Sequence, residues 1–295
     1  MKAVSECTYC YLRQAHTSLS LVLKDEKKIL SYLKKLFPLI KSFPLEKTPC
    51  EYSTLVLKEV NRLLGVPDPY SEEKKLCNTM ALEWESYLRQ LVHNSPEPLR
   101  TAIKLSVVGN IIDLGIKVQI DIKRSIEQIL SQGFRIDDSE IIIQKVKNVS
   151  HLNILIIGDN AGEILFDKIL VEELLKYTPQ VLYVVKGGPV INDALVEDAE
   201  AVGMTGVCKI IETGNDWAGV VEEKCSEEMR EHLRKADLII AKGQANYETL
   251  TETDYPVFYI MKAKCPPVAN HLGVKVGDLV CKYVHQKLSE ENKQS

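Results

Sequence analysis

One segment, Asn153 to Glu163, constrains the fold more than any other; it reads Asn-Ile-Leu-Ile-Ile-Gly-Asp-Asn-Ala-Gly-Glu. The consecutive aliphatic residues 154–157 are typical of a strand buried on both faces of a parallel sheet. From Ala161 onwards apolar residues recur every three or four positions, which predicts a helix directly after the strand. A strand followed at once by a helix is the building unit of an α/β fold.

Two polar side chains, Asp159 and Asn160, stand where this strand gives way to the helix. Ligands of open α/β sheets bind beyond the carboxyl ends of the strands, so we expect Asp159, Asn160 and Glu163 to line a crevice there. Carboxylate and amide oxygens suit a hard divalent cation such as Mg²⁺ or Mn²⁺. The alternative is that Asp159 and Asn160 cap the helix and bind no metal.

Further apolar segments in the carboxyl-terminal half predict more strands, each followed by polar residues. These segments are 181–185, 236–241 and 257–261. Asp193 brings a second carboxylate after the first of them. Lys242 and Asn246 follow the second, and Lys262 follows the third. Because lysine side chains and backbone N–H groups at helix starts bind phosphate, the pattern indicates a site for phosphate and a metal ion.

The chain divides near residue 151 into two predicted domains. Residues 1–150 are dominated by helical periodicity, whereas residues 151–295 alternate strands with helices. We predict an α/β protein: a Rossmann-like three-layer α/β/α domain with a mostly parallel sheet, and an N-terminal helical domain that covers the carboxyl edge of that sheet. The predicted N-terminal helices run over 10–24, 26–37, 53–64, 73–92 and 98–114.

Asn110 and Asp113 are polar exceptions in the last of these predicted helices. Burying an amide and a carboxylate in an apolar helix is costly unless both have partners. Two interpretations are open: a hydrogen bond between helices, or a contact with the substrate.

The composition is that of an ordinary globular protein, with 45% hydrophobic and 26% charged residues and a formal net charge of −4. No basic cluster typical of nucleic-acid binding is present, and no apolar run approaches the roughly 20 residues of a membrane span. The first residues lack the apolar core of a signal peptide. We therefore expect a cytoplasmic protein that binds a small molecule and neither nucleic acid nor membrane.

Eight cysteines are spread over the chain, and Cys7 and Cys10 form a Cys-x-x-Cys pair. In a reducing compartment a disulfide framework is not expected. The pair has the spacing of half a zinc site, which Cys50, Cys77 or Cys265 would have to complete. The alternatives are a redox pair and two small side chains that pack against the core.

Five short motifs in this order resemble the damage-control phosphatase family, also called domain of unknown function 89. They are Gly109-Asn-Ile-Ile-Asp113, Gly158-Asp-Asn-Ala-Gly-Glu163, Gly188-Pro-Val-Ile-Asn-Asp193, Ala241-Lys-Gly-Gln-Ala-Asn-Tyr-Glu248 and Lys262-Ala-Lys-Cys265. The Cys7-Thr-Tyr-Cys10 motif is similar to the Cys-x-x-Cys motif that characterises the stand-alone prokaryotic and archaeal branch of this family. The resemblance extends over nearly the whole chain. It implies a metal-dependent phosphatase that acts on sugar phosphates and related phosphometabolites.

The resemblance also implies roles for single residues. Asp159, Asn160 and Asp193 match the positions that hold a divalent cation, which is Mg²⁺, Mn²⁺, Co²⁺ or Ni²⁺. Lys262 and Lys242 match lysines associated with the phosphate. Eukaryotic relatives have Arg-Thr before the last lysine where this chain has Ile-Met, a departure that bears on recognition of the sugar.

The expected mechanism combines a cation, which neutralises charge on the phosphate and the leaving oxygen, with lysines that balance the remaining charge. Asp159 either attacks phosphorus or holds the attacking water, and both alternatives are open. The Asp-x-Asp-x-Thr signature of haloacid-dehalogenase phosphatases does not follow the strand, which disfavours assignment to that type of phosphatase. Glu163 is a candidate general acid or base.

Two other functions suit an α/β sheet. A carboxyl methyltransferase that uses S-adenosylmethionine would carry a glycine-rich turn after its first strand, whereas Gly158 alone precedes the polar pair here. A non-catalytic metabolite-binding protein would use the same pocket without a reactive metal. Phosphate release that depends on added cation separates the enzyme from the binding protein.

Overall fold

A mostly parallel sheet organises the computed structural model, which describes residues 1–44, 46–109 and 122–285. Its strands are β1 (Ile136–Asp137), β2 (Ile154–Ile157), β3 (Val181–Val185), β4 (Lys209–Glu212), β5 (Leu238–Lys242), β6 (Val257–Lys262) and β7 (Leu279–Val284). They lie in the order β1-β7-β6-β5-β2-β3-β4. Every neighbouring pair is parallel except β6 with β7.

The helices fall into three groups by position. The first group is α1 (Cys7–Val22), α2 (Glu26–Lys41) and α3 (Pro49–Leu64). The second is α4 (Ser71–Leu82), α5 (Glu85–His93), α6 (Pro98–Leu105), α7 (Ile122–Gln132), α8 (Ser139–Asn148), α9 (Glu163–Leu174) and α10 (Val196–Ala201). The third is α11 (Glu227–Lys235), α12 (Gly243–Leu250) and α13 (Pro266–Leu272).

The sheet is covered on both faces, as the aliphatic run of β2 predicts. Ile154 and Ile156 belong to the core that the second group of helices forms on one face. Leu155 and Ile157 belong to the core on the other face, against α11 to α13. Alternate residues of a strand point to opposite faces, so an uninterrupted apolar strand needs an apolar layer on each side. The three-layer α/β/α prediction is confirmed.

The helices α1 to α3 form a separate core and lie beyond the carboxyl edge of the sheet. Leu19, Leu36 and Val56 are fully buried in that core. The Cys50 thiol of α3 donates to the Glu248 carboxylate of α12 at 2.9 Å. These helices take the position predicted for the whole helical part, whereas α4 to α8 complete a layer on one face. Periodicity shows that each helix has an apolar face but does not show which surface that face meets.

Some element predictions need correction. The helix predicted over 73–92 is two helices, α4 and α5, which separate at Glu83 and Trp84. Strands β1, β4 and β7 were not predicted; β1 has only two residues, and β4 has exposed residues at both ends. Because β1 starts at Ile136, the sheet takes one strand from before residue 151. None of the helices in the described ranges combines the length and the apolarity that crossing a membrane requires.

Candidate active site

The chain reverses its direction of winding at β2, and the candidate site lies at that point. From β2 the sheet continues through β3 and β4 on one side and through β5 and β6 on the other. A crevice forms beyond the carboxyl ends of strands where the order reverses in this way. Asp159 comes shortly after β2, and Gly243 directly after β5. The observed topology therefore explains why the polar residues of these two motifs meet.

A cavity of about 420 Å³ opens at this edge of the sheet. Asp159, Asn160 and Asp193 line it from the strand ends. Helix α1 supplies much of another wall, and Lys264 lies on the side of α13. The structure thus brings together all three residues predicted to hold a cation, and it places them in a pocket large enough for a small metabolite.

Backbone hydrogen bonds fix the loops that carry these three residues. Asn160 and Asp193 form an isolated antiparallel bridge between the two loops. The backbone N–H of Ala194 donates to the Asp159 carbonyl at 2.9 Å, and that of Ala161 donates to the Asn192 carbonyl at 2.9 Å. The side chains of the predicted set are therefore held by paired backbone rather than by a free loop. Such rigidity is what a preorganised site requires.

The Asn160 amide is oriented by two carboxylates. Its Nδ2 donates to Glu163 Oε1 at 2.7 Å and to Asp159 Oδ2 at 3.2 Å. Both donor hydrogens of the amide are thereby used, so the oxygen Oδ1 is the group that can serve a ligand in the cavity. An amide oxygen beside a carboxylate is a suitable pair of ligands for a hard cation.

The Asp193 carboxylate is buried and incompletely satisfied. Its side chain is 6% exposed, and Oδ2 accepts no hydrogen bond from the described part of the chain. Lys186 Nζ lies 3.5 Å from Oδ2 but gives its short hydrogen bond, 2.5 Å, to the Gly219 carbonyl. Burial raises the pKa of Asp193 to about 7, against the effect of Lys186, and the negative charge of Asp159 adds to the rise. A buried oxygen with spare acceptor capacity beside a second carboxylate fits a cation.

Glu163 lies outside the cavity wall and contacts the site through Asn160. Its side chain is fully buried and is not part of the cavity wall. Burial, and then the charge of Asp159, raise its pKa to about 8. The predicted contact of Glu163 with the crevice is therefore wrong, and its role in orienting Asn160 replaces it. The capping alternative also fails, because α9 begins at Glu163 with Gly162 as its N-cap.

Gly243 packs directly against the Asp159 carboxylate. A Cβ atom on Gly243 would lie 2.0 Å from Asp159 Oδ2 and 2.1 Å from Cγ. Gly243 also has a φ of +77°, a conformation that favours glycine. A glycine at this position therefore allows the carboxylate to sit at the start of α12, where backbone N–H groups stabilise negative charge.

Lys242 and Asn246 do not face the cavity, which corrects their predicted placement. Lys242 is fully buried, and its Nζ donates to Asp167 Oδ1 at 2.7 Å and to the Ser106 carbonyl at 2.6 Å. Asn246 Nδ2 donates to the Gly158 carbonyl at 3.1 Å and to the Lys242 carbonyl at 2.7 Å. The first residue forms a buried ion pair, and the second ties the end of β2 to that of β5.

Lys264, rather than Lys262, lines the cavity. Lys262 ends β6, half-buried and paired with Leu279 of β7. The backbone N–H of Lys264 donates to Gln244 Oε1 at 3.0 Å, which fixes the chain where it leaves the sheet. Strand alternation would place Lys264 on the same side as Lys262, but the strand stops at Lys262 and alternation with it. The sequence did show a second lysine, Lys264, two positions after the strand end, and this was the signal from which a cavity lysine could have been predicted.

Asn110 and Asp113 lie outside the described residues. Gly109, the last described residue before them, packs against Glu163: a Cβ atom on it would lie 2.6 Å from Glu163 Cα. The chain therefore passes beside the carboxylate that orients Asn160. The substrate contact expected of Asn110 and Asp113 stays a prediction.

Four cysteine thiols line the same cavity, from α1, α3 and the start of α13. They belong to Cys7, Cys10, Cys50 and Cys265. Over residues 1–44, 46–109 and 122–285, no three His, Cys, Asp or Glu side chains are grouped so that they could hold a metal ion. The thiols therefore do not form the zinc site considered for them. The candidate cation site has a different composition, two carboxylates and one amide.

Comparisons with known proteins agree on one family. The model of the damage-control phosphatase ARMT1-like domain matches residues 3–280. A damage-control phosphatase of Archaeoglobus fulgidus is 32% identical over 291 residues, which are 96% of this chain and 100% of that protein. One of Pyrococcus horikoshii is 36% identical over 287 residues, or 95% of this chain and 98% of that protein. The crystal structure of a DUF89 family protein from P. horikoshii superposes with a TM-score of 0.88 at 34% identity, over 96% of this chain and 99% of that one.

Proposed function

The chain belongs to the damage-control phosphatase family, and from that premise we propose that it is a metal-dependent phosphatase of sugar phosphates or related, damaged phosphometabolites. The relatives from A. fulgidus and P. horikoshii, matched over 100% and 98% of their lengths, are named damage-control phosphatases. The proposal adds the dependence on a metal and the class of substrate. It assigns the reaction to the cavity around Asp159.

The observation that carries the proposal is the imbalance of charge at that cavity. Asp159, Asp193 and Glu163 are each less than a tenth exposed; burial raises the pKa of Asp193 and Glu163, and the negative charge of Asp159 raises both further. Carboxylates crowded together in a buried site repel one another, and a bound cation removes that penalty. Asp159, Asn160 and Asp193 would hold the cation; their oxygens suit Mg²⁺ or Mn²⁺, and Co²⁺ and Ni²⁺ are the other candidates.

The chemistry follows from the residues around the cavity. A bound cation would neutralise charge on the phosphate and on the leaving oxygen. Lys264 contributes a positive charge for the phosphate oxygens, in the place proposed from sequence for Lys262 and Lys242. Asp159 either attacks phosphorus or orients the attacking water. Glu163 acts as a positioning residue, because it holds the Asn160 amide and does not reach the cavity.

The test is a panel of phosphomonoesters assayed with each of the four cations and with a chelator. We expect phosphate release only when cation is present. Asp159→Asn and Asp193→Asn should each lower kcat/KM by at least about 100-fold, the effect of losing one preorganised electrostatic group. Asp254→Asn, a change at an exposed acid distant from the cavity wall, is the matched control.

Two further measurements separate the alternatives. Calorimetric titration with Mn²⁺ should show one site that both cavity variants weaken, while the thermal midpoint stays level or rises because a buried charge is removed. Cation binding without hydrolysis of any ester would favour a metabolite-binding protein. Hydrolysis at full rate in chelator would contradict the metal assignment.

A further inference from the structure

Half of the cysteines of this chain line one cavity, and the cation site does not account for them. Cys7 and Cys10 lie in the first turn of α1, Cys50 lies in α3, and Cys265 precedes α13. Burial raises the pKa of Cys7, and negative charge on Cys265 or Cys10 adds a little to that rise, so these three thiols lie near one another. A cluster of thiols beside a reaction site is suited to oxidation chemistry.

The four thiols differ in reactivity because their surroundings differ. Cys50 is buried and donates to Glu248, and burial raises its pKa well above the ordinary value. Cys265 accepts a hydrogen bond from Gln244 Nε2 at 3.4 Å, and burial raises its pKa too. Cys10 is half-exposed, and the Arg13 guanidinium lies 3.7 Å from its sulfur. Cys10 is therefore open to an oxidant in solvent.

Cys7 is within reach of Cys10 because both lie in the first turn of α1. Residues three positions apart are neighbours on a helix surface, with Cβ atoms about 5–6 Å apart. A disulfide requires about 3.8 Å between Cβ atoms, so a small tightening of the first turn of α1 is enough. Cys7 is 6% exposed and therefore protected from a bulky oxidant, whereas Cys10 is accessible. This combination suits an attacked thiol and a resolving thiol.

We propose that Cys7 and Cys10 form a reversible disulfide, with a peroxide as the oxidant, and that this disulfide reshapes the wall of the cavity. The Cys10 thiolate attacks one peroxide oxygen and becomes a sulfenic acid, and the other oxygen leaves as hydroxide. The Cys7 sulfur then attacks the Cys10 sulfur and displaces the hydroxyl group. Two thiols lose two electrons and two protons, and one hydrogen peroxide becomes two molecules of water.

The disulfide should act on substrate binding because the chain before α1 is anchored. The Met1 amino group donates to the Glu248 carbonyl at 2.6 Å, and the backbone N–H of Ala3 donates to the Lys47 carbonyl at 2.9 Å. The first turn of α1 therefore cannot tighten by sliding its N-terminus freely. The movement passes instead to the cavity wall, which Cys7 and Cys10 help to form.

The chemical test does not depend on enzyme activity. Trypsin cuts after Lys2 and Arg13, so one peptide, residues 3–13, contains both thiols. After brief treatment of the folded protein with hydrogen peroxide, that peptide should lack two hydrogens and should regain them with dithiothreitol. Cys10→Ser should abolish the change, and Cys208→Ser should not, because this half-exposed thiol lies outside the cavity wall. Two free thiols in the treated peptide, or a link from Cys10 to Cys265, would overturn the assignment.

The kinetic test rests on the proposed phosphatase function. Each protein is compared with itself before and after peroxide, in saturating Mn²⁺. In the oxidised parent we expect KM to rise by about tenfold and kcat to change little. A tenfold change in KM corresponds to the loss of about one hydrogen bond to the substrate. Cys10→Ser should not respond. A disulfide that forms while KM stays constant would refute the effect on the cavity, and absence of any phosphatase activity would count against the proposed function and not against the disulfide.

Discussion

Gly243→Ala should displace the Asp159 carboxylate and so lower activity without unfolding the protein. Gly273→Ala is the matched control for the strain that alanine introduces. Gly243 and Gly273 have nearly the same positive φ, +77° and +74°. Alanine at either position is therefore strained by that φ, at a cost of about 1–2 kcal/mol. Only at Gly243 would the new Cβ meet another group: Asp159 Oδ2 lies 2.0 Å away, whereas Gly273 has nothing within 4 Å.

The structure gives the size of the effect on catalysis. Ordinary van der Waals contact begins at 3.4 Å, so the Asp159 carboxylate has to retreat by more than an ångström. A misplacement of about 1 Å costs about 100-fold in rate. Gly243→Ala should therefore lower kcat/KM by about 100-fold or more. Rotation of the Asp159 side chain relieves the clash, so the free energies of unfolding of the two variants should differ by less than about 1 kcal/mol.

The assay is hydrolysis of a generic aryl phosphate with saturating Mn²⁺, together with urea unfolding of both variants. Calorimetric titration with Mn²⁺ should also show weaker cation binding in Gly243→Ala than in Gly273→Ala. Equal kcat/KM in the two variants would refute the reasoning, because a displaced Asp159 would then be irrelevant to the reaction. Global loss of structure in Gly243→Ala alone would show that the carboxylate cannot rotate away.

Two more predictions concern the lysines. Lys264→Met should lower kcat/KM by about 100-fold, as expected for the loss of one preorganised charge. Lys262→Met, a change at the neighbouring half-buried strand end, should have little effect. If Lys262→Met had the larger effect, Lys262 would be the lysine that contacts the phosphate. Asp167→Asn should cost about 3–5 kcal/mol in urea unfolding because it leaves the Lys242 charge buried without its partner, and the pair replaced by Leu and Met should recover much of that loss. A raised KM at unchanged stability in Lys242→Met would instead indicate a phosphate contact.

The strand and turn around Asp159 could be predicted from the sequence because their causes are local. A strand covered on both faces needs an unbroken aliphatic run, and 154–157 provide one. The meeting of Asp159 and Asn160 with Asp193 followed from one general rule, that parallel strands end at a common edge. The family resemblance was confirmed by the match over residues 3–280.

The lysines show where that reasoning stopped. Lys242 belongs to β5, and alternation along the strand places it on the same face as Leu238 and Ile240. On that face its ammonium group binds the Asp167 carboxylate of α9. Lys264 lies beyond the end of β6, so only the path of the loop brings it to the cavity. Both residues are lysines, and each belongs to a motif that follows an apolar segment, so the sequence did not distinguish them.

The sequence by itself determined the alternation of β2, β3, β5 and β6 with helices, the two-sided burial of the sheet and the edge at which polar side chains gather, since each depends on the pattern of residues along the chain. The tertiary structure decided which helices cover that edge, which lysine faces the cavity, and that thiols from α1, α3 and α13 share its wall. These features depend on contacts between segments far apart in the chain. The free energy of such contacts comes from the shape and charge of both surfaces, which no single stretch of sequence contains.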